Sequence, residues 1–134
     1  MEEIVRFGVS VPRNLLEEFT RVSREVGFAN RSEAIRAAMR LLIMKEGRVA
    51  SAKGNIGVII VLYSHGKRGC EEEITEAQHD YSSIVVNSSH IHLGEDCLEV
   101  ITCRGGSEAI KELYRRIESI KGVKWADLLL APVL

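Results

Sequence analysis

One short strand followed by two helices, all within the first 50 residues, restricts this chain more than any other feature. Ile4 to Val11 reads IVRFGVSV, a β-branched run. Strand alternation puts Val5, Phe7, Val9 and Val11 on one face and Arg6, Gly8 and Ser10 on the other. Pro12 follows at a position suited to the first turn of a helix. Leu15, Leu16, Phe19, Val22 and Val26 recur at helical spacing up to Gly27, a natural helix stop. In NRSE, Asn30 suits an N-cap, with Glu33 three residues on as in a capping box. Ala34, Ile35, Ala38, Met39, Leu41 and Leu42 then form the apolar stripe of a second helix ending near Glu46.

So short a unit cannot bury much of a core alone, and its single strand has two open edges. Both deficits disappear if two copies pair their strands antiparallel and interlock their helices. The expectation is an N-terminal ribbon-helix-helix (βαα) module over residues 1–48, a β-ribbon reader of the major groove of double-stranded DNA. Arg6 and Ser10 would face base edges, with Gly8 between them. Asn30, Arg31 and Ser32, at the start of the second helix, would offer N–H groups and a cation to a phosphate. Charge agrees: residues 1–53 carry ten Lys/Arg against seven Asp/Glu, while residues 54–134 carry eight against twelve.

Residues 49–55 are small, polar and without period, and read as a linker. A new pattern occupies residues 56–134. IGVIIVLYS (56–64) is a buried-strand run, and CEEEITEAQHDY (70–81) is helical with an acidic first turn. SIVVNSSHIHL (83–93) and CLEVITCR (97–104) are strands joined by the turn GED. SEAIKELYRRIESIKG (107–122) is a helix, and 123–134 a last strand. The order βαββαβ is ferredoxin-like, similar to an ACT-type ligand-sensing domain, so the fold class expected is α+β. The hydrophobic share of 46% and charged share of 28% suit globular folding. No apolar run is long enough for a bilayer, no secretion signal is evident, and three cysteines are too few for a disulfide framework. A reduced, cytoplasmic setting with no membrane partner is expected.

The chemistry concentrates in SSHIHLGEDCLEV (88–100). His90 and His92 lie two residues apart on one strand and share a face. A tight hairpin brings Cys97 back alongside. Two imidazoles and a thiolate suit late first-row divalent metals rather than magnesium or calcium. Glu99 shares the face of Cys97 and is placed to orient a ligating histidine. His79 is the best fourth donor, from the same chain or a neighbour. Cys70 and Cys103 read as structural, His65 as a surface residue, and Lys67 with Arg68 as either a solvated pair or a phosphate clamp. An enzyme is not expected, because no nucleophile–base pair stands out.

NRSEAIR (30–36) followed by QH (78–79), HIH (90–92) and CLEV (97–100) resembles the nickel-responsive NikR transcriptional regulators over essentially the whole chain. The resemblance implies a homotetramer, a dimer of dimers with the ACT-like domains at its centre. It implies one square-planar Ni(II) per subunit, held by His90, His92 and Cys97 of one chain and His79 of a neighbour, with Gln78 and Glu99 supporting them from behind. It assigns DNA contact to Arg6, Gly8 and Ser10 and backbone contact to Lys67 and Arg68. It further implies a palindromic operator and repression of nickel-uptake genes.

This sequence departs from the family pattern in places. The step from His92 to Cys97 is one residue shorter, and Ala37 stands where an acidic residue often helps bind a second cation. Gly8 offers no side chain to a base, and Trp125 stands where a histidine is common. Three alternatives stay open. The ACT-like domain would instead sense an amino acid; the metal would be copper or zinc; or the protein would buffer metal, its first module serving only to dimerise.

Overall fold

The structure, a computed structural model, describes residues 2–132. Contacts divide the chain into Met1–Lys45 and Glu46–Leu134. In the first unit, residues 2–12 form no strand, and Ile4, Val5, Phe7 and Val9 are exposed. The strand expected over Ile4 to Val11 thus does not form in a single chain, because backbone N–H and C=O groups need a second strand to pair with. Helix α1 (Arg13–Val26) is amphipathic yet buries no residue. It ends where Gly27, at φ 95°, turns left-handed and donates its N–H to the Ser23 carbonyl. Helix α2 (Arg31–Ser51) starts as the sequence indicates: the Asn30 side-chain oxygen accepts the Glu33 N–H at 3.0 Å, a cap worth about 1 kcal/mol.

The helix does not stop near Glu46, and no linker begins at residue 49. It runs on to Ser51, and its last turns pack within the second unit. Val49 is fully buried. Arg48 donates to the Asp127 carboxylate and to the Leu128 carbonyl, and the Lys111 ammonium donates to the Ala50 carbonyl at 2.8 Å. A cation at a helix C-terminus satisfies an orphan carbonyl and opposes the negative end of the dipole. The connection left is Ala52 to Asn55, held where Ser107 Oγ accepts the Gly54 N–H and donates to its carbonyl. Gly54 is required there, since a Cβ would lie 2.4 Å from the Ala131 carbonyl oxygen.

The second unit runs β1 (Ile56–Ser64), α3 (Cys70–Asp80), β2 (Val85–Leu93), β3 (Asp96–Arg104), α4 (Ser107–Glu118) and β4 (Val123–Ala131). The strands form one antiparallel sheet in the order β2-β3-β1-β4. This is the α+β arrangement the βαββαβ pattern indicates. The ends of the last expected strand, Val133 and Leu134, fall outside the described residues. Alternate residues of the two central strands point into the core: Ile59, Val61 and Tyr63 from β1, and Cys97, Glu99, Ile101 and Cys103 from β3. Against them lie Cys70, Ile74 and Ala77 of α3 and Ile110, Leu113, Tyr114 and Ile117 of α4. Strand β2 lies at the sheet edge, and from Val86 onward its side chains are exposed.

Candidate metal centre

A two-residue turn sets the site. Leu93 pairs with Asp96, leaving Gly94 and Glu95 between the strands. Gly94 has φ 66°, and among the described residues no non-glycine residue has a positive φ, as a hairpin turn with glycine first requires. From that turn the register follows residue by residue: His92 opposes Cys97 and His90 opposes Glu99. Partners across an antiparallel pair point to the same side. All four side chains therefore face the helix side of the sheet, where Cys97 and Glu99 are buried and both histidines remain exposed. Shortening the hairpin by one residue thus still leaves a histidine and the cysteine face to face.

The third donor beside them is His65. Its Nδ1 lies 3.4 Å from Cys97 Sγ, and His92 Nδ1 lies 3.3 Å from the same sulfur. The three donor atoms all fall within 4.8 Å of one another, the group of that kind found among the described residues. The rings of His65 and His92 meet edge-on at 4.9 Å, and those of His90 and His92 at 5.3 Å. His90 is adjacent to the cluster but not part of that group, and neither is His79. His65 is exposed, as its loop position in the sequence indicates, and it has partners as well. It belongs here because β1 runs antiparallel to β3, so the end of β1 meets the start of β3. Tyr63 opposes Cys97, and the His65 N–H donates to the Glu95 carbonyl at 2.8 Å, extending the ladder. Pairing the two central strands of a βαββαβ pattern end to start would have found it.

Behind the cluster, Glu99 collects three donors: Gln78 Nε2 at 2.5 Å, Ser88 Oγ at 2.7 Å and the Tyr63 hydroxyl at 3.3 Å. Burial, with the nearby charge of Glu99, pushes the Tyr63 phenol well above its usual range, so it stays a donor. Gln78 and Glu99, placed together in the sequence reading, are in contact. His79 sits one residue beyond Gln78, exposed in the last turn of α3. The next residue, Asp80, accepts Arg116 Nη1 at 2.7 Å.

The residues expected to meet DNA are also exposed. Arg6, Gly8 and Ser10 lie in the segment before α1, Asn30, Arg31 and Ser32 at the start of α2, and Lys67 with Arg68 in the loop from β1 to α3. Asn30 already serves as a cap, which leaves its neighbours' N–H groups available.

Two nitrogens and one sulfur within a few ångströms are a donor set for nickel, copper or zinc and fit no hard cation. The model of the NikR C-terminal nickel-binding domain matches residues 56–131. A "Putative nickel-responsive regulator" of Thermococcus kodakarensis is 43% identical over 129 residues, covering 96% of this chain and 94% of the relative. Proteins of the same name from Methanococcoides burtonii and Methanocaldococcus jannaschii are 41% and 44% identical. They cover 98% and 96% of this chain, and 95% and 92% of their own. A solved structure, that of the uncharacterized protein TM1266 from Thermotoga maritima, superposes with a TM-score of 0.52 at 10% identity. It covers 56% of this chain and 94% of its own, a likeness of fold alone.

Proposed function

Since this chain belongs to the nickel-responsive regulator family, we propose that it is a repressor whose grip on an operator depends on Ni(II), one ion per subunit. Three ligands come from one chain, His90, His92 and Cys97, and His79 comes from a neighbour. The observation that carries the reading is the hairpin register, which puts both histidines and the cysteine on one face, with Glu99 behind them. His79 is exposed and outside its own chain's donor group, as suits a ligand given to another subunit. Nickel supplies a positive centre that ties imidazole and thiolate donors of two chains together. The chain's own contribution is to hold those donors ready: Glu99 fixes Gln78, and Gln78 fixes the turn of α3 that presents His79.

The first unit supports the DNA half of the proposal. Its helix α1 buries nothing and the apolar segment before it, unpaired in one chain, faces solvent, which suits one half of an intertwined ribbon-helix-helix dimer. In such a dimer Arg6, Gly8 and Ser10 line the paired ribbon, Arg31 and Ser32 approach phosphates, and Lys67 and Arg68 add a backbone contact. Two dimers joined through their second units make the homotetramer, which matches a palindromic operator. Regulator relatives favour this over an enzyme, and nickel over an amino acid as the signal. No helix among the described residues is long and apolar enough to cross a membrane.

Replacing His79 with alanine tests the shared site. Nickel-dependent DNA binding is expected to vanish while the far-ultraviolet spectrum stays that of the folded protein; an unchanged response refutes the role. A second reading has its own observation, the grouping of His65, His92 and Cys97 in one chain. There the ion is held by a single chain, and His65→Ala rather than His79→Ala removes the thiolate–nickel absorption.

A further inference from the structure

Helix α4 lies between two helix ends that the proposed function connects. Lys111 and Arg116 are five residues apart, a net rotation of about 140°, and they leave α4 on different flanks. Ile110, Leu113 and Ile117, between those flanks, are buried in the core with the sheet. On one flank Arg116 holds Asp80, the residue after His79, at 2.7 Å. On the other, the Lys111 ammonium reaches the Ala50 carbonyl at 2.8 Å, and the Tyr114 hydroxyl lies 3.3 Å from Glu46 Oε1. Those last two contacts grip the final turns of α2, the helix that continues unbroken from the first unit.

Lys111 is only 3% exposed. Lysine is rarely buried so deeply without a specific partner, and a methionine would match the length of its stem without the charge. What the ammonium adds is a hold on the end of α2, with Glu108 at 3.5 Å as its counter-charge. The contacts therefore form one unbroken series. Glu99, opposite His90, holds Gln78; the end of α3 carries His79 and Asp80; Asp80 holds Arg116; and α4 holds α2 through Lys111.

We propose that α4 is the relay between the metal centre and the DNA-binding unit, with Arg116 and Lys111 as its two positioning residues. The inference rests on the nickel reading above and adds to it the route of coupling. Fixing His79 in a metal site holds the end of α3. Arg116 passes that restraint to α4, and Lys111 passes it to the last turns of α2, which lead into the first unit. Contact alone is not coupling, so the test measures the restraint itself.

Hydrogen exchange on the full chain, with and without nickel, is the direct measurement. In the wild type, nickel is expected to slow exchange in residues 70–80 and also in 46–52. Arg116→Gln and Lys111→Met are each expected to keep the thiolate–nickel absorption and the slowing in 70–80, and to lose at least threefold of the slowing in 46–52. The methionine preserves the buried stem, and Ala50 is exposed enough for water to replace the lost partner. Arg116→Lys, which keeps the charge opposite Asp80, is expected to restore most of the effect. Nickel-induced slowing confined to 70–80 in the wild type, or equal in all variants, overturns the relay.

A DNA duplex selected from a random-sequence pool in the presence of nickel provides the second readout. Its nickel-induced gain in affinity should fall at least fivefold in Lys111→Met, and an unchanged gain counts against the relay. A pool yielding no nickel-dependent duplex removes the DNA half of the proposed function, and the exchange data still decide the relay. Absence of nickel binding by the wild type removes both.

Discussion

Cys97 and Cys103 lie on the same face of β3 and are both fully buried, yet their surroundings differ. Cys97 has two imidazoles within 3.4 Å, whereas burial alone pushes the Cys103 thiol up to about 11, from 9.0. The fold thus favours the neutral thiol of Cys103. Its contribution to stability is whole below about pH 9 and is lost as pH rises through 11. The size is about 2–3 kcal/mol. Urea midpoints at pH 8 and pH 11 should fall more in the wild type than in Cys103→Ala, and parallel falls would contradict the assignment. The comparison cancels the two buried phenols, Tyr63 and Tyr114, which are also pushed upward and titrate in both proteins. Reading Cys103 as structural needed only strand alternation. Finding His65 beside Cys97 needed the pairing of β1 with β3, which joins residues more than 30 apart.

Among the elements, the β2–β3 hairpin shows how little the proposed metal-binding face requires. Its turn has two residues, and Gly94 alone takes the left-handed conformation. Alanine there has open space for its Cβ but pays a backbone penalty of about 1–2 kcal/mol. Since His92 and Cys97 form the second pair from the turn, Gly94→Ala is expected to lower nickel affinity roughly tenfold, at about 1.4 kcal/mol per decade. Competition with a chelator measures it. Gly66→Ala, also with open space but without a positive φ, is the control and should match the wild type. If the two variants bind nickel alike, turn geometry does not set the site.

The elements of the second unit were largely legible. β1 spans the residues its apolar run indicates, and α3 and α4 begin at Cys70 and Ser107 as expected. The end of α2 was not. EGRVAS, residues 46–51, has no apolar period, and its helix is held by Lys111, Tyr114 and Asp127 from elements far along the chain.

At the scale of the molecule, the face of the sheet away from the helices is the unexplained surface. Ile91, Leu98, Leu62 and Trp125 stand in one row across all four strands. Trp125 is 46% exposed and Leu129, four residues along β4 on the same face, 60%. An apolar row of this kind, uncovered in one chain, is what the proposed tetramer would bury. Trp125 is the single tryptophan, so assembly can be read from its emission. Emission is expected to shift to longer wavelength on dilution, together with a smaller sedimentation coefficient, and Leu129→Glu should produce both at concentrations where the wild type stays assembled. Emission of an exposed indole at every concentration would place the interface elsewhere.

By itself the sequence determined the local periods, the Asn30 cap, the hairpin turn, and that His90 and His92 share one face of β2. These depend on residues within a few positions of one another. Tertiary structure decided that α2 runs to Ser51, that His65 joins His92 and Cys97, and that α4 touches the ends of both α2 and α3. Those outcomes depend on strand register and on side chains 30 to 80 residues apart, which meet only when the sheet has closed over its core.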